Sequence, residues 1–305
     1  MQRIRITKKD IKRNLTWYSF IIVTLVALCV LVYYPTIRTF LFSTTNMRTY
    51  GTEYQNVGLQ NFRILLNDKA FVKSLLNTLV LSLYSLVTIP LGFLLANALN
   101  GLGRTKLQSF FRVTFYLPNI ITGISVVLIF QYVLRGNGGL LNQFLSRIVG
   151  STVRIGWLSD PKLSHLGVTI VWTWMNLGYA MLINLASLQS IPDEIYEAAS
   201  VDGATRLKRT WYITLPQMKG CFAFLFVTSM INGFARFTDL YILGGNSCAG
   251  RPNGTLQTLL MYIYQYSFEA PSYGISSAGA VVLFIIVMSV TLINVKMSGF
   301  FKGGD

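Results

Sequence analysis

Long blocks of apolar sequence without charge constrain this chain more than any other feature. The stretch 75–99 carries no Asp, Glu, Lys or Arg at all. An α-helix rises 1.5 Å per residue, so about 20 residues cross ~30 Å of hydrocarbon. Blocks of that kind recur at 17–35, 113–134, 166–190 and 276–295, and a further apolar block at 220–243 carries only Arg236 and Asp239. A soluble domain would interrupt them with charge, yet only 12% of the 305 residues are charged and 52% are hydrophobic. The expectation is an all-α, polytopic membrane protein with six transmembrane helices. Its transmembrane domain is read as 17–298, between an N-terminal segment 1–16 and a tail 299–305.

The charge itself is lopsided, with a formal net of +15. This is no nucleic-acid stripe, because the basic residues cluster at the ends of the apolar blocks, where they set orientation. Segments 1–16, 100–112, 191–219 and 296–305 hold 15 of the 26 Lys and Arg residues. The short segment with Arg104, Lys106 and Arg112 votes most clearly, so those four segments and both termini are read as cytoplasmic. The basic start ahead of the first block also suits a signal peptide. That block is too long, however, and 35–38 offers no small-residue cleavage site, so it reads as a retained anchor. Three cysteines, Cys29, Cys221 and Cys248, have neither disulfide nor metal spacing. The lone histidine, His165, excludes a His-based metal site within the chain.

The apolar blocks are not uniform. The second carries Asn77, Thr78, Ser82, Ser85, Thr88 and Asn97, and the fourth carries Thr169, Thr173, Asn176 and Asn184. Polar groups in hydrocarbon are satisfied internally or face water. They serve either as helix–helix glue or as the lining of a path for a hydroxyl-rich solute.

The connection 191–219 is the most informative segment. Pro192, Asp193 and Glu194 suit a helix start, and Ser190 with Asp193 has the spacing of a capping pair. Gly203 permits a break, Arg206, Lys208 and Arg209 mark a second helical piece, and Pro216 ends it. Physical chemistry leaves two readings open: a capped, solvated loop, or a short helix–Gly–helix knob whose slim Ala198–Ala199 surface admits a partner.

Residues Glu197, Ala198 and Ala199, then Gly203, then Ile213, Leu215 and Pro216, reproduce the EAA motif of permease subunits of ABC importers. Pro192, Tyr196, Asp202 and Ala204 resemble the sugar-importing branch. So do Gly58-Leu59-Gln60-Asn61-Phe62 with Asp68, Phe71, Ser74 and Asn77-Thr78, and later Tyr262, Phe268, Tyr273-Gly274 and Ser277-Ala278. Gly138-Gly139-Leu140-Leu141-Asn142 is closer to the F-type maltose permease than to its G-type partner. One departure stands out: the usual Gly-Gly-Pro turn after the fifth span reads Gly244-Gly245-Asn246 here, followed by an extended loop.

The resemblance implies a MetI-like permease fold and no catalytic residue, metal or cofactor in this chain. It implies a second, homologous permease subunit, two ATPase subunits and an extracytoplasmic solute-binding protein as partners. A phosphate-cradling Gly-x-x-x-x-Gly-Lys-Ser/Thr loop is absent from the sequence, consistent with ATP hydrolysis on a partner. Glu197, Ala198, Ala199, Asp202, Gly203, Ile213, Leu215 and Pro216 are then the coupling loop. The cargo implied is a sugar or oligosaccharide. Its path is assigned by helical spacing together with the resemblance: Trp172, Asn176 and Tyr179 on one face of the fourth span; Ser229, Gly233 and Arg236, with Asn232, on the fifth; Ser125 on the third. Arg236 and Asp239, one turn apart, form an intrahelical ion pair, or else an outer gate or a selector for an acidic sugar. The competing classes are an ABC permease for a glycerol phosphate-type solute, an ion-coupled secondary transporter and a membrane enzyme. An ion-coupled transporter lacks its buried carboxylates here, and an enzyme lacks a catalytic cluster.

Overall fold

The computed structural model describes residues 8–103 and 105–297. The tail 299–305, the start of segment 1–16 and the orientation-setting Arg104 lie outside the described residues.

The chain opens with α1 (Lys8–Leu28), which passes through a wider π-helical turn at Cys29–Tyr33 into α2 (Tyr34–Phe42). A surface segment leads to α3 (Gln60–Asn67), then α4 (Lys69–Ser85) and α5 (Thr88–Asn100), which together make one long apolar length. Next come α6 (Lys106–Ile120), α7 (Gly123–Val133) and the short amphipathic α8 (Leu140–Val149). The central α9 (Ser164–Leu188) is followed by α10 (Asp193–Val201), α11 (Arg206–Arg209), a π turn at Thr210–Thr214 and α12 (Leu215–Gln217). The last third holds α13 (Lys219–Phe234), α14 (Thr238–Leu243), α15 (Leu259–Tyr264) with a π turn at Gln265–Glu269, and α16 (Tyr273–Met297).

Small residues bring the helices together around α9. A Cβ on Gly92 of α5 would sit 2.8 Å from the Cβ of Ala180, and one on Gly178 would strike the carbonyl of Phe115 on α6. Close backbone approach of this kind is how helices associate where lipid removes the hydrophobic drive. Two apolar clusters cap the two ends of α9. Leu81, Val127, Val168, Val171, Leu240 and Met261 fill one end. Phe93, Leu99, Met181, Leu185, Ile191 and Met218 fill the other.

The polar residues of α4 are paired along their own helix. Thr78 donates to the Ser74 carbonyl, Ser82 to that of Thr78 and Ser85 to that of Ser82, at 2.6–2.7 Å. Ser85 also reaches the Ser229 carbonyl at 3.1 Å, so the α4 face is glue against α13.

Two expected spans are not single straight helices. The block 113–134 is broken at Ile121 and Thr122, and α6 and α7 meet at 95°. Pro118 denies a backbone donor to the last turn of α6, and Ile121 turns extended with ψ 142. The block 220–243 ends as a helix at Phe234 and restarts at Thr238, with Arg236 turned inward between the two pieces. Among the described residues four helices are long and apolar enough to cross a membrane, or five if the bent pair is one crossing. The first apolar length runs further than expected, from Trp17 to Phe42; its most apolar stretch is not buried against the rest of the chain, whereas Phe42 at its end is.

Candidate functional site

The connection 191–219 folds as a braced knob at the Leu188 end of α9. Pro192 is the N-cap of α10, with ψ 135, so Asp193 and Glu194 occupy the first turn, where the helix dipole favours acidic side chains. The expected Ser190–Asp193 capping pair does not form. The Ser190 hydroxyl instead donates to the Ser187 carbonyl at 2.8 Å, at the end of the preceding helix.

Gly203 closes α10 in the left-handed region with φ +74. Its N–H donates to the Ser200 carbonyl at 3.1 Å, and the Ala204 N–H donates to the Ala199 carbonyl at 2.9 Å. That pair is a Schellman closure, which needs a residue with positive φ after the helix. Open space surrounds the position where a Cβ would stand, so conformation, not crowding, calls for glycine. Thr205 then caps α11, Arg209 Nη1 reaches back to the Ser200 hydroxyl at 2.8 Å, and the Tyr196 and Thr214 hydroxyls meet at 3.0 Å.

The expected loop residues divide by face. Glu197, Ala198, Asp202, Gly203 and Pro216 are exposed, and Ala199, Ile213 and Leu215 are half-buried. Leu215 and Tyr196 pack onto the apolar cluster at the Leu188 end of α9. Sequence reasoning missed the exposed apolar side chains beside the motif: Val201 is 88% exposed, Leu207 72%, Trp211 63% and Tyr212 80%. Two aromatic residues inside a charged loop were the available signal. Large apolar side chains offered outward on a braced knob make this face a candidate interaction surface.

At the other end, the expected path residues are brought together only in part. Trp172 and Arg236 touch, with the guanidinium carbon 4.6 Å from the ring centroid. Arg236 Nε and Nη2 donate to Asp239 Oδ2 at 3.0 and 2.6 Å, and Nη2 reaches the Val168 carbonyl at 3.3 Å. The Thr258 hydroxyl donates to the Arg236 carbonyl at 3.1 Å. The ion pair therefore exists, but it spans a helix break and binds α9, α14 and α15 together. Ser229 and Gly233 face α4, where a Cβ on Gly233 would lie 2.8 Å from the Ser82 Cα. Asn176 and Tyr179 are half-buried, and Asn176 donates to the Trp172 carbonyl at 2.9 Å. Ser125 and Asn232 are exposed.

Residues 88–298 match the model of one family, described as binding-protein-dependent transport system inner membrane component. The chain belongs to this family. It is accordingly a multi-pass membrane transport subunit and not an enzyme, and the ATPase is a partner subunit. Similar relatives include the multiple sugar-binding transport system permease protein MsmF of Streptococcus mutans, 32% identical over 95% of this chain and 97% of that protein. The arabinooligosaccharides transport system permease protein AraP of Bacillus subtilis is 32% identical over 88% of this chain and 84% of its own length. Two crystal structures of a bacterial ABC transporter for alginate contain a chain of the same fold. One matches with a TM-score of 0.81 at 26% identity, over 95% of this chain and 97% of that one. The other, in complex with an alginate pentasaccharide-bound periplasmic protein, gives 0.83 at 26%, over 97% and 98%.

Proposed function

We propose that this chain is one of two permease subunits of an ATP-driven importer that carries a sugar or oligosaccharide into the cytoplasm. A separate binding protein delivers the cargo, and two ATPase subunits drive its passage. The sugar reading is supported by relatives named for sugar and arabinooligosaccharide transport and by the alginate transporters. In this reading both termini are cytoplasmic. Six crossings are made, with α6–α7 and α13–α14 each serving as one broken crossing. Broken helices at membrane depth are tolerated where they are buried in protein or line a water-filled cavity.

The observation that carries the coupling role is the Schellman-closed knob with its outward apolar residues. In this reading Glu197, Ala198, Ala199, Asp202 and Gly203 meet a groove of the ATPase, while Ile213, Leu215 and Pro216 join the knob to the bundle. A rigid element held by a partner can bias two packings of the helices it joins. The cargo path runs past Trp172, Asn176 and Tyr179 of α9, Asn232 of α13 and Ser125 of α7. Arg236, Ser229 and Gly233 form the packed wall behind it.

The test is reconstitution of the complete complex with Gly203→Val and Gly203→Asn. Valine at φ +74 is strained by roughly 1–2 kcal/mol or more, whereas asparagine tolerates that region. Sugar uptake and its coupling to ATP hydrolysis are expected to collapse for valine and to survive for asparagine. Full transport by the valine variant would falsify the coupling role. Uptake of glycerophosphodiesters in place of any sugar would sink the cargo class.

A further inference from the structure

The stretch 244–257, where the chain departs from the pattern it resembles, is fastened from several sides. Lys73 Nζ donates to the Asn253 carbonyl. Asn77 Nδ2 donates to the carbonyls of Gly254 and Gln257 at 2.8 and 3.0 Å. The Thr255 carbonyl and hydroxyl meet His165 Nε2 at 2.7 Å and the Ser164 hydroxyl at 2.9 Å. Gly250, at φ +59, lets the loop close on Gln257, and Cys248 is wholly buried beneath it. A loop tied this way forms a fixed wall.

That wall bounds a cavity of about 890 Å³, whose other sides are the end of α7 and the 158–159 turn. This volume lies within the roughly 300–1,000 Å³ that small-molecule sites occupy. Tyr132 enters from α7, Arg135 from the turn just after it, and Arg251 and Asn253 from the loop, and the lining holds no acidic residue. Among the described residues the one ion pair is Arg236–Asp239, so neither cavity arginine has a carboxylate partner. The nearby Asp160 turns Oδ1 to the Lys162 N–H at 2.8 Å. Each guanidinium therefore keeps a planar fork of donors, the shape that grips a carboxylate with two parallel bonds. Ser125, Leu128 and Tyr132 are all exposed and recur at helical spacing on α7, with Arg135 just beyond the helix end, so one face of that helix leads from the cavity toward the proposed path.

We infer that this cavity is an entry subsite for a sugar bearing a carboxylate, such as a uronic-acid unit. Arg135 and Arg251 hold the carboxylate, and Tyr132 faces the ring. The inference rests on the importer reading above and on the orientation proposed there.

The test uses the complete complex in nanodiscs without its binding protein, so that the permease alone selects. Equilibrium binding of radiolabelled digalacturonate is compared with that of the neutral digalactoside of the same linkage. Charge-assisted contacts predict a preference for the acid of about tenfold or more. The preference is expected to collapse in Arg135→Gln/Arg251→Gln and to persist in Arg135→Lys/Arg251→Lys. Either single glutamine variant is expected to lose part of it, which keeps the test usable if the double variant assembles poorly. Equal binding of the two probes by the wild-type complex, or binding of neither, overturns the inference. So does a glutamine variant that keeps the preference but loses affinity for the sugar-free binding protein, because the arginines would then face an acidic surface on that protein. Import of a neutral sugar alongside equal probe binding leaves the importer reading standing and removes this one alone.

Discussion

Arg236 shows how a residue chosen as a candidate gate can be held as structure. Its side chain is fully buried, shares one Asp239 oxygen through two N–H groups, and lies on the Trp172 ring. One further nitrogen, Nη1, is buried with no hydrogen-bond partner, so the site is costly and tightly specified. Arg236→Met is expected to destabilise the subunit by about 3–5 kcal/mol, because Asp239 is left buried and unpaired. Adding Asp239→Asn should recover much of that loss, as read by thermal unfolding of the purified complex. Independent, additive effects of the two substitutions would show that the pair carries no coupling. Cys248 is a second case. Burial, with a smaller contribution from Glu269, raises its thiol from the ordinary 9.0 to about 12. The reactive thiolate is therefore scarce at pH 8, and maleimide labelling is expected to be about a thousandfold slower than for an open thiol. The sign for stability follows: above pH 9 the unfolded chain gives up this proton and the folded chain keeps it, so stability falls as pH rises from about 9 toward 12. Rapid labelling at pH 8 in the folded complex would contradict the burial.

The three π turns obey one rule among the described elements: each ends two residues before a proline. Cys29–Tyr33 precedes Pro35, Thr210–Thr214 precedes Pro216, and Gln265–Glu269 precedes Pro271. A proline ring collides with the carbonyl four residues back, and widening the turn relieves the collision; the helix continues through Pro35 and Pro216, whereas after Gln265–Glu269 it ends at Ala270. Each wide turn holds one extra residue, which rotates what precedes it by about 100°. Pro216→Ala is therefore expected to let α11–α12 relax toward α geometry and turn the knob away from the pose proposed to meet the ATPase. Transport per ATP should fall several-fold while the subunit still assembles, measured by uptake and hydrolysis in the same vesicles. Unchanged coupling would show that the π turn has no bearing on the pose. The knob was legible in the sequence because local residues make it: Gly203 sets the closure and Pro192 the start. The apolar blocks were legible for the same reason, since length and lack of charge act locally. Pro118 was a local signal for the break at 121–122, but the break at 235–237 was not legible, because Arg236 is drawn inward by Val168, Trp172 and Thr258, which lie far away in sequence. Loop 244–257 was illegible on the same ground, its shape coming from Lys73, Asn77 and Thr255's partners on α9. Trp211 and Tyr212 were readable and passed over, since a motif search stops at the motif.

At the scale of the whole molecule, α9 measures the distance between the two functional regions. Its Ser164–His165 end is bonded to Thr255 of the 244–257 loop, and its Leu188 end packs into the cluster that carries the knob. Twenty-five residues at 1.5 Å each separate those ends by about 37 Å. That exceeds the ~30 Å of hydrocarbon in a bilayer, so the two regions lie on opposite sides of any membrane this bundle spans. The orientation proposed above puts 191–219, with Arg206, Lys208, Arg209 and Lys219, on the cytoplasmic side together with the basic 100–112 segment. The assignment can be read directly in a chain whose Cys29, Cys221 and Cys248 are replaced by alanine. With Tyr212→Cys, a membrane-impermeant maleimide is expected to label inside-out vesicles and to leave right-side-out vesicles unlabelled. With Asn253→Cys the pattern should reverse, since Asn253 is exposed at the other end. Labelling of both positions from one side would break the argument from α9's length, whereas an exchange of the two patterns would keep that length and invert the topology. In the inverted case the exposed Val201, Leu207, Trp211 and Tyr212 would face away from any cytoplasmic ATPase, and the coupling role of the knob would fall with them.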